Sequence, residues 1–480
     1  MKRRWIVLLM AVSMLLGAAG AFAGMQWASA NGGSGPEAGF DTGRQGVQSA
    51  EGLEKVGQAY SLILSSYVEE VKKEELVEGA IQGMLNKLGD PYSVYMDAET
   101  ARQFNETLES SFEGIGAEVS MVGNKVIIVA PFKESPAEKA GLKPNDQILK
   151  VDGESVEGLD LYEATLRIKG EKGTAVELEI MRSGLKEPIK VKIIRDEIPQ
   201  ITVYSDMKNL NGEKIGYLEI TSFSQETAKE FKNELGSLEK QGMSGLIIDV
   251  RGNPGGLLDS VEEILKELVT EKKPLYQIEQ RSGEKTRYFS TLKKAKEYPI
   301  AVLTDKGSAS ASEILAGALK EAGGYPVVGE KTFGKGTVQQ PVPMGDGSNI
   351  KLTLFKWLTP DGNWIHKTGI EPTLPVQQPK LFDTHPIQAE EPLKRDMNSE
   401  QVKNAQEILE GIGYAPGRTD GYFNDQTEMA VKAFQRKNGM KVTGIIDAKT
   451  AAALEETARQ EMKREENDAQ LQHALKLLAK

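Results

Sequence analysis

The sequence contains no cysteine, which excludes disulfide bonds, thiol nucleophiles and thiolate metal sites. Only three histidines occur, His366, His385 and His473, so a Ser-His-Asp triad or a histidine-rich zinc site has few candidates, and we predict neither a metal nor a cofactor. Lysine and arginine number 59 against 70 aspartates and glutamates, a net charge of −11, with no long basic run. We therefore expect no nucleic-acid partner, because such partners require a basic surface.

What is present points to ordinary globular domains. The chain has 480 residues, of which 39% are hydrophobic and 27% are charged. That length predicts about three domains at roughly 150 residues each, and the composition excludes wholesale disorder. After residue 30 no segment is apolar for long enough to cross a membrane.

The N-terminus has the features of an export signal. Basic residues at positions 2–4 precede a charge-free stretch that runs to Ala30 and ends in small-x-small sites. The same stretch is long enough to span a bilayer, so an uncleaved membrane anchor is the alternative for residues 1–30. Both interpretations place the protein outside the cytoplasm, secreted or anchored in the cell envelope. Residues 31–50 are polar and predict a linker.

Hydrophobic periodicity divides the chain that follows. Residues 51–110 carry apolar side chains at helical spacing, and residues 111–198 form short β-rich runs between glycine- and proline-bearing turns. From 199 to 375, strand-like runs alternate with helical patterns, which is typical of an α/β layer structure. We predict a multidomain α+β protein, in which an α/β core built with the N-terminal helices carries the β-rich region as an insertion.

The remaining chain predicts a separate helical region. Residues 376–396 are rich in proline and glutamine and predict a linker, followed by a small helical domain at 397–456 and a charged C-terminal helix at 457–480. Amphipathic helices at both ends of the chain suggest a homodimer.

Small residues crowd the segment Lys306-Gly-Ser-Ala-Ser-Ala-Ser-Glu-Ile314, which follows a strand and begins a helix at Ala311. Free backbone N–H groups at a helix N-terminus can hold a developing oxyanion, so a nucleophilic hydroxyl belongs at such a turn. The alternative is that these serines only cap the helix, which is their usual role in this position.

Lys335 lies between two glycines in a stretch otherwise short of charge. Desolvation lowers the pKa of a lysine, and a neutral amine can accept the proton of a serine hydroxyl. If the chain after Thr337 is extended, Gln339 shares a face with Lys335 and can orient it. A surface hairpin lysine and a polar residue on a strand are the alternatives.

These two segments resemble the carboxy-terminal processing peptidases, or tail-specific proteases, a Ser-Lys peptidase family. Further family-like segments are LGDPYSVY at 88–95 and LIIDVRGNPGG at 246–256. The resemblance implies an exported serine endopeptidase in which Ser310 is the nucleophile, Lys335 is the base and Gln339 orients that base.

The same resemblance implies an oxyanion hole. Its donors would be the N–H of Ala311 together with that of Gly256 or its neighbour Gly255. Asp249 and Arg251, at the end of the preceding strand, are expected to be structural.

The β-rich region resembles a PDZ domain. Gly114, Ile115, Gly116 and Ala117 precede a strand, and a glycine-bearing loop of this kind can capture a chain-terminal carboxylate while the peptide adds as a strand. We therefore expect substrates with free C-termini. Arg167, at the end of the second PDZ helix, is a candidate charge contact to the core, or else a solvated helix-end arginine.

Residues 397–456 resemble a peptidoglycan-binding module of the three-helix type, for which peptidoglycan is the implied partner; the alternative is a structural or dimer-forming appendage. Two other functions remain to be compared. A catalytically silent envelope scaffold is disfavoured because the serine, lysine, glutamine and glycine pair are all present. A Ser-His-Asp hydrolase is disfavoured because the sequence has no Gly-x-Ser-x-Gly elbow.

Overall fold

The computed structural model describes residues 53–159, 161–182, 185, 187–387 and 391–479, apart from the side chains of residues 106, 107 and 162. The predicted export signal and linker at residues 1–50 lie outside the described residues. By their internal contacts the residues form two compact units, one ending at Ala80 and the other beginning at Ile81.

The helices of the described residues, in chain order, are α1 (Leu53–Ser66), α2 (Lys73–Asn86), α3 (Ala98–Leu108), α4 (Pro136–Lys139), α5 (Leu161–Ile168), α6 (Thr227–Lys240), α7 (Leu258–Lys266), α8 (Ala311–Glu321), α9 (Glu400–Gly411), α10 (Asp425–Lys437), α11 (Ala448–Met462) and α12 (Ala469–Leu478). Short 3₁₀ helices span Lys380–Asp383 and Glu465–Asn467. In the part of the chain that is described, no helix combines the length and the apolar composition that a bilayer crossing requires.

The strands are β1 (Val94–Met96), β2 (Ser111–Gly114), β3 (Ala117–Val122), β4 (Lys125–Pro131), β5 (Gln147–Val151), β6 (Glu154–Ser155), β7 (Ala175–Met181), β8 (Ile189–Ile194), β9 (Asp196–Pro199), β10 (Val203–Leu210), β11 (Glu213–Ile220), β12 (Gly245–Asp249), β13 (Pro274–Glu279), β14 (Lys285–Phe289), β15 (Ile300–Thr304), β16 (Val327–Gly329), β17 (Thr337–Pro343), β18 (Asn349–Leu358) and β19 (Leu374–Pro375). They form the predicted multidomain α+β architecture, which is confirmed.

The N-terminal unit contains α1, none of whose residues is buried. Its apolar side chains Leu53, Val56 and Leu62 are all exposed. The helix therefore has an amphipathic face with no packing partner among the described residues of its own unit.

The centre of the second unit is a six-stranded sheet in the order β10-β11-β12-β15-β16-β19. Strands β11, β12, β15, β16 and β19 run parallel, and β10 is antiparallel to β11. Every residue of β12 and β15 is buried, as expected for parallel strands covered on both faces. Helices α6, α7 and α8 cover one face, and α12 covers the other.

A second sheet includes the two strands that follow the lysine segment, β17 and β18. It has the order β1-β18-β13-β14, with β17 also paired to β18. The short strand β1 pairs antiparallel with β18, with Val94 opposite Lys351. This pairing joins the segment around residues 90–96 to the same sheet as Gln339, whose strand β17 begins just after Lys335.

The inserted β-rich domain is a separate sheet in the order β3-β4-β5-β7-β8, in which β6 pairs with β5. Its own core includes Ile128, Ile148 and Ile180. The chain enters and leaves through the antiparallel pair β2 and β9, with Ser111 opposite Pro199. This two-stranded ribbon is the connection to the rest of the second unit.

The C-terminal helices α9, α10 and α11 pack around Phe423, Phe434 and Leu454. The preceding segment at 376–396, which we predicted as a linker, is in part not one: Leu381, Ile387 and Leu393 are buried in the same cluster. The proline and glutamine content of the segment favoured the linker prediction, although it also contains these apolar residues. The C-terminal helical domain therefore begins before residue 397.

The final helix α12 also differs from our expectation. Its apolar side chains Leu471, Ala474, Leu475 and Leu478 pack on the central sheet and are buried within the chain. The amphipathic pattern at this end reflects an intramolecular face, so the inference of a homodimer from this helix is wrong. The N-terminal helix remains as the basis for that prediction.

Candidate active site

The structure separates the three serines of the small-residue segment. Ser308 donates to the Val250 carbonyl oxygen at 2.8 Å, and Ser312 donates to the Asn253 carbonyl oxygen at 2.9 Å. Both are fully buried, whereas Ser310 is half-buried. Of the three serines, only Ser310 is partly exposed. It also holds the N-cap position of α8, where Glu313 completes a capping box, so helix capping and exposure to a substrate coexist at this residue.

Ser310 lies at the turn between β15 and α8 with φ = 54° and ψ = −112°. A positive φ is uncommon for a residue that carries a side chain, and such backbone strain is concentrated at functional sites. The turn is held by the Glu313 carboxylate, whose Oε2 accepts the Ser310 N–H at 2.9 Å. The strained turn projects the serine from the start of the helix.

Glu313 is fully buried and was not singled out by the sequence analysis. Besides Ser310, it accepts hydrogen bonds from the Thr332 hydroxyl at 2.6 Å, Gly334 N–H at 2.7 Å and Lys335 N–H at 2.8 Å. One carboxylate thus connects the serine turn to the lysine loop. The only signal in the sequence was a charged residue among the small and apolar residues that begin α8.

Lys335 is half-buried, with its Nζ 5.0 Å from the centre of the Tyr92 ring. Its carbonyl oxygen accepts a hydrogen bond from Trp357 Nε1 at 2.7 Å, which fixes the backbone of the loop. Burial lowers the pKa of Lys335, and the nearby positive charge of Lys351 lowers it further, while Glu313 and Asp90 act in the opposite direction. The net shift favours the neutral amine that a general base requires.

Within the described residues no hydrogen bond joins the Ser310 hydroxyl to the Lys335 amine. Catalytic hydrogen bonds are often long without substrate and tighten only in the complex. Gln339 lies on β17, and its amide donates to the Thr337 and Thr353 hydroxyls, each at 3.0 Å. The two threonines therefore fix the Gln339 side chain, and it makes no hydrogen bond to Lys335 among the residues described.

Two glycines follow β12 and lie against the serine turn. A Cβ at Gly255 would be 2.9 Å from the Cβ of Ser310, and one at Gly256 would be 2.1 Å from the Phe223 carbonyl oxygen. Only glycine permits these approaches. The Gly255 N–H already donates to Asn253 Oδ1 at 2.8 Å. In the described chain the N–H groups of Gly256 and Ala311 have no hydrogen-bond partner, so these two remain available for an oxyanion.

The glycine loop of the inserted domain is also built by close packing. Gly116 has φ = 73°, and a Cβ there would be 2.5 Å from the Cβ of Ser135 and 2.9 Å from Ile198 Cδ1. The carbonyl oxygens of Ile115 and Gly116 accept hydrogen bonds from Ala137 and Phe132 N–H groups, at 2.8 and 2.9 Å. Over the described residues the N–H groups of Ile115 and Gly116 carry no hydrogen bond.

The other predicted residues of this domain have defined places. Gly114 ends β2 opposite Asp196, and Ala117 begins β3. Arg167 is paired with Glu154 at 3.0 Å and donates to the Ser155 carbonyl oxygen at 3.3 Å. Both partners belong to the inserted domain, so the structure does not bring Arg167 to the core.

Comparison with known proteins matches family models to four regions of the chain. The model of peptidase family S41 matches residues 214–376, a PDZ domain model matches 114–193, a peptidoglycan-binding domain model matches 398–454, and the model of the N-terminal domain of the activating protease CtpB matches 14–100. Over 480 residues the chain is 55% identical to the carboxy-terminal processing protease CtpB of Bacillus subtilis, covering 100% of this chain and 99% of that protein. The chain belongs to the carboxy-terminal processing proteases.

A second relative is the carboxy-terminal processing protease CtpA of Bacillus subtilis, 43% identical over 428 residues, which cover 89% of this chain and 90% of that one. Among solved structures, the photosystem II D1 C-terminal processing protease is similar at 29% identity, with a TM-score of 0.42 and coverage of 68% of this chain and 86% of that chain. Our family prediction is confirmed. This processing protease is a serine-type peptidase with a PDZ domain, and its C-terminal helical domain is of the peptidoglycan-binding type.

Proposed function

We propose that this protein is an exported serine endopeptidase that cleaves protein substrates whose free C-terminus is held by the PDZ domain. Ser310 is the nucleophile, Lys335 is the general base and Gln339 is a positioning residue. The observation that carries the proposal is the Glu313 carboxylate, which accepts backbone hydrogen bonds from both Ser310 and Lys335. One buried group thereby fixes the nucleophile relative to its base.

The chemistry follows from these positions. The neutral Lys335 amine takes the Ser310 hydroxyl proton as the serine oxygen attacks the peptide carbonyl carbon. The resulting oxyanion accepts hydrogen bonds from the free N–H groups of Gly256 and Ala311. The lysine ammonium then gives its proton to the departing amine, and water, deprotonated by the same lysine, hydrolyses the acyl-enzyme. Gln339 Oε1, with its amide group held by two threonines, can accept a hydrogen bond from the lysine.

Hydrolysis of an unstructured peptide by the full chain tests the proposal. Replacing Ser310 or Lys335 by alanine should lower kcat by at least about a thousandfold, and the double variant should lose no more than either single one. Lys331→Ala is the matched control. Lys331 lies in the same loop as Lys335 but is exposed, and it pairs with Glu371. Normal turnover by the Ser310 variant would contradict the proposal and favour the silent scaffold.

The envelope location is part of the proposal. It is supported by the predicted export signal and by the match of residues 398–454 to a peptidoglycan-binding domain. Since Leu381, Ile387 and Leu393 complete the helical core, a fragment of residues 377–462 should fold and sediment with purified cell-wall sacculi. The shorter fragment 397–456 should be less stable by at least about 3 kcal/mol, as expected for lost core side chains. If the long fragment folds but stays in the supernatant, the helical domain does not bind the cell wall, and its role is that of a structural appendage.

We also propose that the protein forms a homodimer. The exposed apolar face of α1, with Leu53, Val56 and Leu62, supports a second copy of this helix as its partner. Sedimentation equilibrium should give a dimer for the full chain and a monomer for Leu62→Glu. Lys55→Glu, on the same helix, is the charge control and should remain dimeric. A monomeric full chain would contradict this part alone.

A further inference from the structure

Arg251 directly follows the buried strand β12 and is held from two sides. On the near side its Nε and Nη2 donate to the Asp249 carboxylate, at 3.0 and 2.6 Å. Tyr217 also donates its hydroxyl to that carboxylate, at 2.7 Å. These contacts are local to the strand end and join neighbouring strands of the central sheet.

The far side of Arg251 is held by the last segment of the chain. Its Nη1 and Nη2 donate to the two carboxylate oxygens of Asp468, at 2.9 and 2.8 Å, and Nη1 also donates to Gln470 Oε1 at 3.1 Å. The two parallel bonds to Asp468 are the bidentate geometry that fixes a guanidinium in both position and plane. More than two hundred residues of chain separate the two partners.

Asp468 is itself fixed. It caps α12 by accepting the Leu471 N–H at 2.9 Å, and it accepts an amide N–H of Gln378 at 2.7 Å. The side-chain Oε1 of Gln378 in turn accepts the Ala469 N–H at 3.0 Å. We call Gln378, Asp468 and Gln470 the C-terminal clamp. The apolar face of α12 anchors it on the central sheet.

The backbone around Arg251 supports the active site. The Val250 carbonyl oxygen accepts the Ser308 hydroxyl, and the Asn253 carbonyl oxygen accepts both the Ala309 N–H at 3.0 Å and the Ser312 hydroxyl. The same loop ends in Gly255 and Gly256. A displacement of Arg251 therefore moves a loop that contacts both sides of Ser310.

The charges at the clamp are strongly coupled. Burial opposes the charged form of Arg251, but Asp249 and Asp468 outweigh it and raise its pKa. Burial alone would raise the pKa of Asp468, whereas hydrogen bonds and the charge of Arg251 lower it. Breaking a paired, buried charge of this kind leaves its partner uncompensated.

We propose that Asp468 is a positioning residue for peptide hydrolysis, which through Arg251 holds the loop of residues 250–256 in register with Ser310. The inference rests on the proposed function. The C-terminal segment is then part of the peptidase site and not an appendage of the helical domain that precedes it.

Asp468→Asn in the full chain is the test, because asparagine keeps a helix cap and removes the negative charge that pairs with Arg251. We expect kcat to fall between about tenfold and a hundredfold, with KM changed less than about twofold, since small misplacements of a site act on the chemical step. Asp468→Glu, which restores the charge, should recover part of the loss. Asp447→Asn is the matched control: Asp447 caps α11 in the same way, through Thr450 N–H at 2.8 Å.

Hydrogen exchange over residues 250–256 gives a readout independent of turnover. Hydrogen exchange there should be faster in Asp468→Asn than in the unsubstituted protein or in Asp447→Asn. It is measured at a temperature where all three proteins remain folded. The proposal is wrong if Asp468→Asn changes neither kcat nor the exchange rate. It is also wrong if Asp447→Asn loses as much kcat as Asp468→Asn does. If the unsubstituted protein cleaves no peptide, the proposed function fails. The exchange measurement alone then decides whether Asp468 holds the loop.

Discussion

Two glycine loops in the described part of this protein have free backbone N–H groups, which we propose bind an oxygen anion, and the two loops are supported very differently. The loop at Gly255 and Gly256 is held by hydrogen bonds of buried polar side chains, chiefly Asn253, and lies against the serine turn. The loop at Ile115 and Gly116 is held by apolar packing and two backbone hydrogen bonds, and a two-stranded ribbon is its connection to the core.

The difference matches the role that we propose for each loop. An oxyanion donor stabilises a transition state only at a fixed distance, so a fully hydrogen-bonded network is needed to prevent movement. A carboxylate-binding loop gains affinity from an added strand and tolerates small shifts. We therefore expect changes at the first loop to act on kcat and changes at the second to act on KM.

Among the variants that compare the two loops, Gly256→Ala should have the largest effect. Its new Cβ would clash with the Phe223 carbonyl oxygen, so the N–H must move, and kcat should fall by about a hundredfold or more. Gly116→Ala is the counterpart, because its Cβ would displace Ser135. It should raise KM for a peptide with a free C-terminus by about tenfold and leave kcat unchanged. Equal effects of the two variants on kcat would remove the distinction between the loops.

Glu313→Gln tests whether the polar network fixes the catalytic side. An amide offers one acceptor oxygen where the carboxylate has two, so two donors lose their partner. We expect at least about a tenfold loss of kcat and about 2 kcal/mol lower stability. Glu321→Gln, at the other end of α8, is the control and should change neither quantity as much. Wild-type turnover by Glu313→Gln in steady-state assays would show that the network is dispensable.

The pH dependence of kcat/KM should reflect Lys335. Since the neutral amine is the active form, activity should rise with pH through the lowered pKa of that lysine. Lys351→Met removes a charge that lowers this pKa and should shift the profile to higher pH by about half a unit. Lys356→Met, on the same strand but paired with Glu279, should shift it less.

Replacing all three histidines serves as a further control for the pH profile. His366 has its pKa lowered by burial, and it stacks on Trp364 with ring centres 5.2 Å apart. The profile should keep its shape without the histidines. A rising limb that disappears with His366 would assign the base to histidine and contradict the role of Lys335.

The smallest effect is expected from the substrate terminus. A peptide with a free apolar C-terminus should be cut a few times faster than its amidated twin, because only the free form engages Ile115 and Gly116 N–H groups. If the PDZ domain also gates access, deletion of residues 113–197 should change basal activity on amidated peptides as well. Equal rates for both peptides, with the deletion altering only KM, would make the domain a passive tether.

Several features were evident from the sequence. Its small-residue segment, glycine-flanked lysine and glycine pairs predicted the family and the candidates Ser310 and Lys335, and hydrophobic periodicity predicted the α+β architecture. These signals depend on local spacing. The dependence on local spacing is also why the roles of Asp468 and of the glutamate within α8 were not predicted. Their partners are distant in the chain.

The tertiary structure decided which of these groups meet. It left Gly256 and Ala311 as the free donors, since Asn253 occupies the Gly255 N–H, and it turned Gln339 toward two threonines. It also buried the apolar face of α12 inside the chain, where an amphipathic pattern alone suggested a second copy. Periodicity determines that a helix has an apolar face; only packing determines what covers it, because burial of apolar area has no direction of its own.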